Sequence, residues 1–182
     1  MNRGTGPFIA FLVLAVALGC DSSPRAPALR ASPVYQNDGE GFRFLVPDGW
    51  IQTASTILPP GELSGESFLV RYRMRTPEQG ATLQIECLQE SETLDLEKHH
   101  AGPSYRVEHW QTAEPSEEVE INGVKAGRLV YTARIEGRPM TKEVVIFLRN
   151  SRVYSFVGLF WSNDDKAREQ IRRAIRSTIW EE

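Results

Sequence analysis

Cysteine is scarce in this chain. Of 182 residues only Cys20 and Cys87 are cysteines, which excludes a cysteine-rich zinc site and a disulfide-stapled scaffold. Histidine is nearly as rare, limited to His99, His100 and His109. A basic excess is missing too: 21 Lys and Arg stand against 24 Asp and Glu, a net charge of −3. Nucleic acid is therefore not an expected partner, because phosphate recognition wants surplus positive charge. No Gly-x-Ser-x-Gly elbow and no phosphate-cradling glycine loop occurs, so neither chemistry is indicated and no cofactor is expected. No apolar run reaches the roughly 20 residues of a bilayer-spanning helix; residues 8–18 (FIAFLVLAVAL) stop at eleven. Internal repeats are absent. The remaining composition, 41% hydrophobic and 25% charged, is that of one ordinary globular domain with a modest extension.

The N-terminus carries a secretory pattern. Arg3 gives a positive start, the 8–18 run has the length of a signal-peptide h-region, and Gly19-Cys20 follow at once. The stretch Ala17-Leu18-Gly19-Cys20 resembles the lipobox of bacterial lipoproteins, departing from it at Ala17, where leucine is commoner. In that family the cysteine is lipidated on sulfur, becomes the new N-terminus and is acylated there. Residues 1–19 are expected to be a lipoprotein signal peptide and Cys20 the lipid site. An uncleaved anchor, or a plain signal peptide with an incidental cysteine, is the alternative. Several acyl chains suffice for stable membrane attachment, since each buried CH₂ is worth about 0.8 kcal/mol. Cys87 would then lack an intramolecular disulfide partner. Residues 21–40, rich in Ser, Pro, Ala and Gly, cannot bury a core and read with Cys20 as a flexible tether over 20–40. The folded domain is expected over 41–182.

Within that domain Phe42, Phe44 and Val46 share one face of a strand that ends at the turn Pro47-Asp48-Gly49. Strands are expected over 68–75 and 81–88, the second with Leu83, Ile85 and Cys87 inward. A helix capped by Ser91 is stopped by Gly102-Pro103. A strand over 105–110 and an acidic loop with Glu114, Glu117, Glu118 and Glu120 precede the hairpin turn Asn122-Gly123. Strands over 125–136, 140–149 and 153–160 follow, joined so tightly that they must be antiparallel. Both faces of these strands are apolar, so the sheet must be covered on both sides. A last helix with Ala167, Ile171, Ala174 and Ile175 in a stripe supplies one cover, with Ser162 and Asp165 as a capping box; the helix after Ser91 supplies the other. The expected class is α+β, an antiparallel sheet of about six to seven strands with helices on both faces.

The order of these features resembles the PsbP-like αβα sandwich family, which includes small bacterial envelope proteins of the DcrB and LpqN type. The resemblance rests on Gly41-Phe42-Arg43-Phe44 running into Val46-Pro47-Asp48-Gly49-Trp50, and on Ile121-Asn122-Gly123 leading into Arg128-Leu129-Val130-Tyr131. It continues through Gly137-Arg138-Pro139, Tyr154-Ser155-Phe156 and the arginine-bearing last helix. It implies a non-enzymatic accessory or binding role and carries over no catalytic residues.

Candidate site residues are few. Arg71, Arg73 and Arg75 form a one-sided basic stripe, either a solvated face or protected edge, or a contact for anionic headgroups or an acidic partner. Trp110 falls opposite Tyr105, Val107 and His109 in its strand and is the expected exposed aromatic anchor, while Trp50 and Trp161 are expected at sheet ends. His99 and His100 point about 100° apart on a helix and cannot easily chelate together; they read as surface residues at a helix end. A metal site from His109 and Glu97 has little support, and inward Cys87 reads as core. The expected function is a membrane-anchored lipoprotein, facing the periplasm or cell exterior, that acts as a non-catalytic accessory or binding module with an envelope protein partner. A small-ligand or lipid carrier and a small hydrolase are the competing readings.

Overall fold

Three tight turns of one kind build the longer half of the sheet. Asn122-Gly123, Glu136-Gly137 and Asn150-Ser151 each hold two consecutive residues at positive φ, between 49° and 81°. That geometry matches the right-handed twist of the strands it joins. The computed structural model describes residues 33–58, 63, 65–74, 80–91 and 93–181, all within the unit 31–182. The expected signal peptide, Cys20 and most of the expected tether lie outside the described residues, as does Arg75.

In chain order the elements are β1 (Val34–Asn37), β2 (Phe42–Leu45), β3 (Trp50–Ser55), β4 (Ser67–Met74), β5 (Thr82–Gln89) and α1 (Leu96–Ala101). They continue with β6 (Gln111–Ile121), β7 (Val124–Ile135), β8 (Arg138–Arg149), β9 (Arg152–Trp161), α2 (Asp165–Arg176) and β10 (Ile179–Trp180). The main sheet has seven strands in the order β3-β4-β5-β9-β8-β7-β6, and β1-β2-β10 form a separate three-stranded sheet. All recorded strand pairs are antiparallel.

Strand alternation divides the core between the two faces. On the first, Leu83, Ile85 and Cys87 of β5, Val145 and Phe147 of β8, and Tyr154, Phe156 and Phe160 of β9 pack against α2 and the inner side of the small sheet. The stripe Ala167, Ile171, Ala174 and Ile175 is buried as expected, each fully buried isoleucine contributing roughly 1.5–3 kcal/mol. Helix and sheet meet closely at Gly158, where a Cβ would lie 2.5 Å from Ile171 Cγ2. The α2 N-cap is Asp164, whose carboxylate accepts from the Ala167 amide at 2.9 Å, rather than Ser162.

The second face, with Leu129, Tyr131, Val144, Ile146, Val157 and Leu159, has no full helical layer. Its cover is the six-residue α1 together with the irregular segment 102–110. The expected start at Ser91 fails because Asp95 caps the helix, accepting from Lys98 N at 3.0 Å, while the Ser91 hydroxyl bonds within its own turn to Thr93. The expected strand at 105–110 is instead a tight turn: Ser104 pairs with Val107, with Tyr105 and Arg106 at φ 55° and 64°. The expected acidic loop is β6, an edge strand with bulges between Thr112 and Glu114 and between Glu114 and Glu117. Its exposed glutamates suit an edge, since charge there discourages pairing with other chains. Val34–Asn37, inside the expected tether, pair with β2 and bury Tyr35 in the core.

Candidate functional site

The structure keeps Arg71 and Arg73 on one strand and takes Trp110 off the surface. Arg71 lies on β4, which sits between β3 and β5 and is no edge. Its guanidinium donates to the Gln84 side chain and stands 5.5 Å from the centre of the Phe68 ring. Arg73, on the same strand, is exposed. Trp110 is fully buried rather than an exposed anchor. The chain turns at Tyr105-Arg106, so the alternation that would have pointed Trp110 outward never forms. Its indole N–H donates to the Ser104 hydroxyl at 2.9 Å. Cys87 is buried in the core as expected, and burial pushes its thiol up to about 11. Trp50 is buried and Trp161 half-buried.

The histidines also separate. His109 is exposed, whereas His100 is 4% exposed and not a surface residue: α1 lies flat on the sheet with His100 on its inner side. Its Nε2 is 3.0 Å from the Ser155 hydroxyl of β9. The His99 ring stands 4.8 Å from that of His100, nearly perpendicular to it, and its Nε2 is 3.6 Å from a Glu66 carboxylate oxygen. Among the described residues no group of three or more His, Cys, Asp or Glu side chains is placed to hold a metal ion.

What gathers around these histidines is a polar cluster under the second-face cover. It surrounds a cavity of about 510 Å³ whose wall includes Glu66, Glu86, His99, His100, Tyr105 and Lys142. Alternation on β5 turns Gln84 and Glu86 to this face while Leu83, Ile85 and Cys87 turn to the other. Gln84 donates to Glu86 and accepts from Arg71, a chain across two strands. Glu86 is the register partner of Ser155 on β9. Lys142 of β8 is 2% exposed. Its ammonium donates to the His100 carbonyl and to the Ser104 hydroxyl at 3.1 Å. It also lies 4.6 Å from the Trp110 ring centre and 5.4 Å from that of Tyr131, where the negative ring faces stabilise a cation. The Tyr131 hydroxyl donates to the Glu97 carbonyl at 2.9 Å, fixing α1 from the other side.

Desolvation governs the charges, because burial penalises whichever form is ionised. Burial and the neighbouring cations hold His100 at about 3, so it is neutral at physiological pH. Burial lowers Lys142 to about 8, against the pull of Glu86 and Glu66. The His99 imidazole 3.6 Å away draws Glu66 below the usual carboxylate range, and the same contact raises His99. Glu86, more deeply buried and facing Glu66, moves upward, because burial and the neighbouring carboxylate both disfavour its ionised form. Burial raises the Tyr105 hydroxyl as well. The signal for this cluster was present in the sequence: Gln84 and Glu86 alternate with apolar Leu83, Ile85 and Cys87 on one strand, and Lys142 and Ser155 stand in strands with apolar residues on both faces.

No family model matches the chain, and no curated protein does. Solved structures do match. CyanoP, the cyanobacterial PsbP from Synechocystis sp. PCC 6803, superposes with a TM-score of 0.56 at 14% identity, covering 86% of this chain and 97% of that one. The fold is PsbP-like. LpqN, a Mycobacterium tuberculosis protein involved in cell envelope biogenesis, gives a TM-score of 0.50 at 12% identity over 80% of this chain and 88% of its own. A protein from Bacteroides thetaiotaomicron gives 0.51 at 11% identity over 82% of this chain, which spans about half (48%) of that structure. In this PsbP-like domain the polar cluster lies on the sheet face away from α2, beneath the short α1 and the turn at Tyr105.

Proposed function

We propose that this chain is a lipid-anchored accessory module of the bacterial cell envelope, non-catalytic and acting through a protein partner. The observation that carries the non-catalytic reading is the internal use of the buried titratable groups. Lys142 bonds to the His100 carbonyl and Ser104, His100 to Ser155, and Glu86 to Gln84. The Lys142 and His100 bonds fasten the second-face cover to the sheet and the Glu86 bond stays within β5, whereas an acid, base or nucleophile must reach a substrate. The anchoring reading rests on the apolar run 8–18 that ends in Gly19-Cys20. An envelope location agrees with the involvement of LpqN, a protein of similar fold, in cell envelope biogenesis. For an apolar or lipid cargo the charged cavity wall is a poor match.

Cell fractionation and crosslinking test this reading together. The wild-type chain should sediment with membranes, and Cys20→Ser should move it to the soluble fraction; membrane retention of the variant would refute lipid attachment. Crosslinking in intact cells should recover a defined envelope protein. Replacing His99, His100 and His109 with glutamine should leave that complex intact in a folded variant. Loss of function with the partner still bound would instead favour an enzyme.

A further inference from the structure

The outer face of the small sheet has no covering layer among the described residues. Its inner side, Tyr35, Phe42 and Phe44, is buried in the first-face core. Its outer side presents Val34, Leu45 and Ile179, which are 53%, 42% and 44% exposed. Val34 and Leu45 are direct register partners, and Ile179 pairs with Arg43. Three of the six exposed large hydrophobics among the described residues thus fall on three short strands. Single exposed apolar residues need no explanation, but a contiguous group does.

The border of this patch carries three exposed arginines alongside exposed Asp38, Asp48 and Glu181. Arg43 is exposed on β2 itself, and Arg173 and Arg176 are exposed at the C-terminal end of α2. That end abuts the patch: the backbone amide of Leu45 donates to the Ser177 hydroxyl at 2.8 Å. The acidic residues of α2, Asp165 and Glu169, lie in its N-terminal half. Apolar side chains with Arg43 standing among them suit the boundary between the headgroups and acyl chains of an anionic bilayer.

The chain path selects the occupant. Val34 is both a patch residue and the first strand residue, so the connection from Cys20 enters the domain at this face. Even fully extended, that connection spans at most about 50 Å. A lipid on Cys20 therefore makes docking an intramolecular event at high effective concentration, in which a patch too small to bind membranes from solution becomes sufficient. We propose that the outer face of the β1-β2-β10 sheet, bordered by Arg43, Arg173 and Arg176, lies against the anionic lipid surface that holds the Cys20 anchor. This rests on the anchoring reading above and adds an orientation: the domain lies on the membrane by one defined face.

The test uses the full chain purified from membranes, with the Cys20 lipid verified by mass, in vesicles of phosphatidylglycerol and phosphatidylcholine. A nitroxide is attached to Leu45→Cys and, in a second protein, to His109→Cys on the other cover; buried Cys87 leaves the added thiol as the reactive one. In vesicles the label at 45 should be shielded from an aqueous nickel reagent and open to oxygen, and the label at 109 should remain open to nickel. Shielding at 45 should weaken without phosphatidylglycerol or at high salt. Equal nickel access at both positions, with the lipid present, would overturn the orientation and leave the anchor standing. Absence of lipid on Cys20 would overturn both. Spin–spin broadening between labels at 45 would assign the face to a second copy and likewise overturn the proposal.

Discussion

The ammonium of Lys142 lies 4.6 Å from the centre of the Trp110 ring while donating to the His100 carbonyl. One buried cation thus ties the sheet to both halves of its second cover, the C-terminal end of α1 and the segment that closes with Trp110. A cation suits that helix end, where backbone carbonyls have no intrahelical partner. Lys142→Met keeps the apolar stem and removes the charge, leaving the buried His100 carbonyl without its Lys142 donor. The expected cost is about 1–3 kcal/mol, read by urea denaturation, with hydrogen exchange accelerating over 96–110 before the rest of the domain. Trp110→Phe keeps a ring above Lys142 but loses the bond to Ser104 and leaves a cavity where the wider indole was buried, so its cost should be about 2–4 kcal/mol.

His100 gives the domain an acid-sensitive clasp. Its folded-state pKa of about 3 lies below the ordinary histidine value, so the unfolded chain takes up its proton first as pH falls. Stability from neutral, buried His100 is present above about pH 6.5 and declines progressively as pH drops toward 3. His100→Gln lacks that titration. The variant should be less stable than wild type at pH 7, and the gap should close on acidification in thermal melts at matched ionic strength. A gap that stays constant from pH 7 to 4 would contradict the assignment.

Glu86 works in the opposite direction. Its carboxyl is raised by burial and by Glu66, so the folded state holds its proton more tightly than the unfolded chain does. The associated stability is full below the ordinary carboxylate range and is lost as pH rises through the raised value. Glu86→Gln reproduces the protonated form at every pH. It should match wild type near pH 4 and exceed it increasingly toward alkaline pH, as followed by urea midpoints.

Much of the architecture was legible because it is local. The turn pairs Asn122-Gly123 and Asn150-Ser151 and the apolar alternation of β7, β8 and β9 specify antiparallel neighbours without reference to the rest of the chain. The stripe of α2 was legible for the same reason. Failures came where local patterns compete. The glutamates of β6 carry the composition of a loop, yet edge strands favour the same charge. Trp110 looked exposed because periodicity was extended through Tyr105-Arg106, where two residues at positive φ reverse the chain. The polar residues of the cluster at Lys142 and Glu86 are visible in the sequence, but their meeting is not, because only the strand order β5-β9-β8 brings them together.

The packing between α2 and β9 offers a test of the first face. A Cβ at position 158 would meet the branch methyl of Ile171 at 2.5 Å, so the side chain or the helix would have to shift. Gly158→Ala should destabilise by about 1–3 kcal/mol through overpacking. In an Ile171→Ala background the same substitution should cost much less, giving a clear coupling in a double-mutant cycle. Simple additivity would place the helix farther from the sheet than described.

The most direct measurement of the anchored-module account is the mass of the N-terminal peptide of the chain isolated from its native membrane. A chain beginning at Cys20, with a diacylglyceryl group on the sulfur, is the predicted result. A chain that begins elsewhere, or one that starts at an unmodified Cys20, would contradict it.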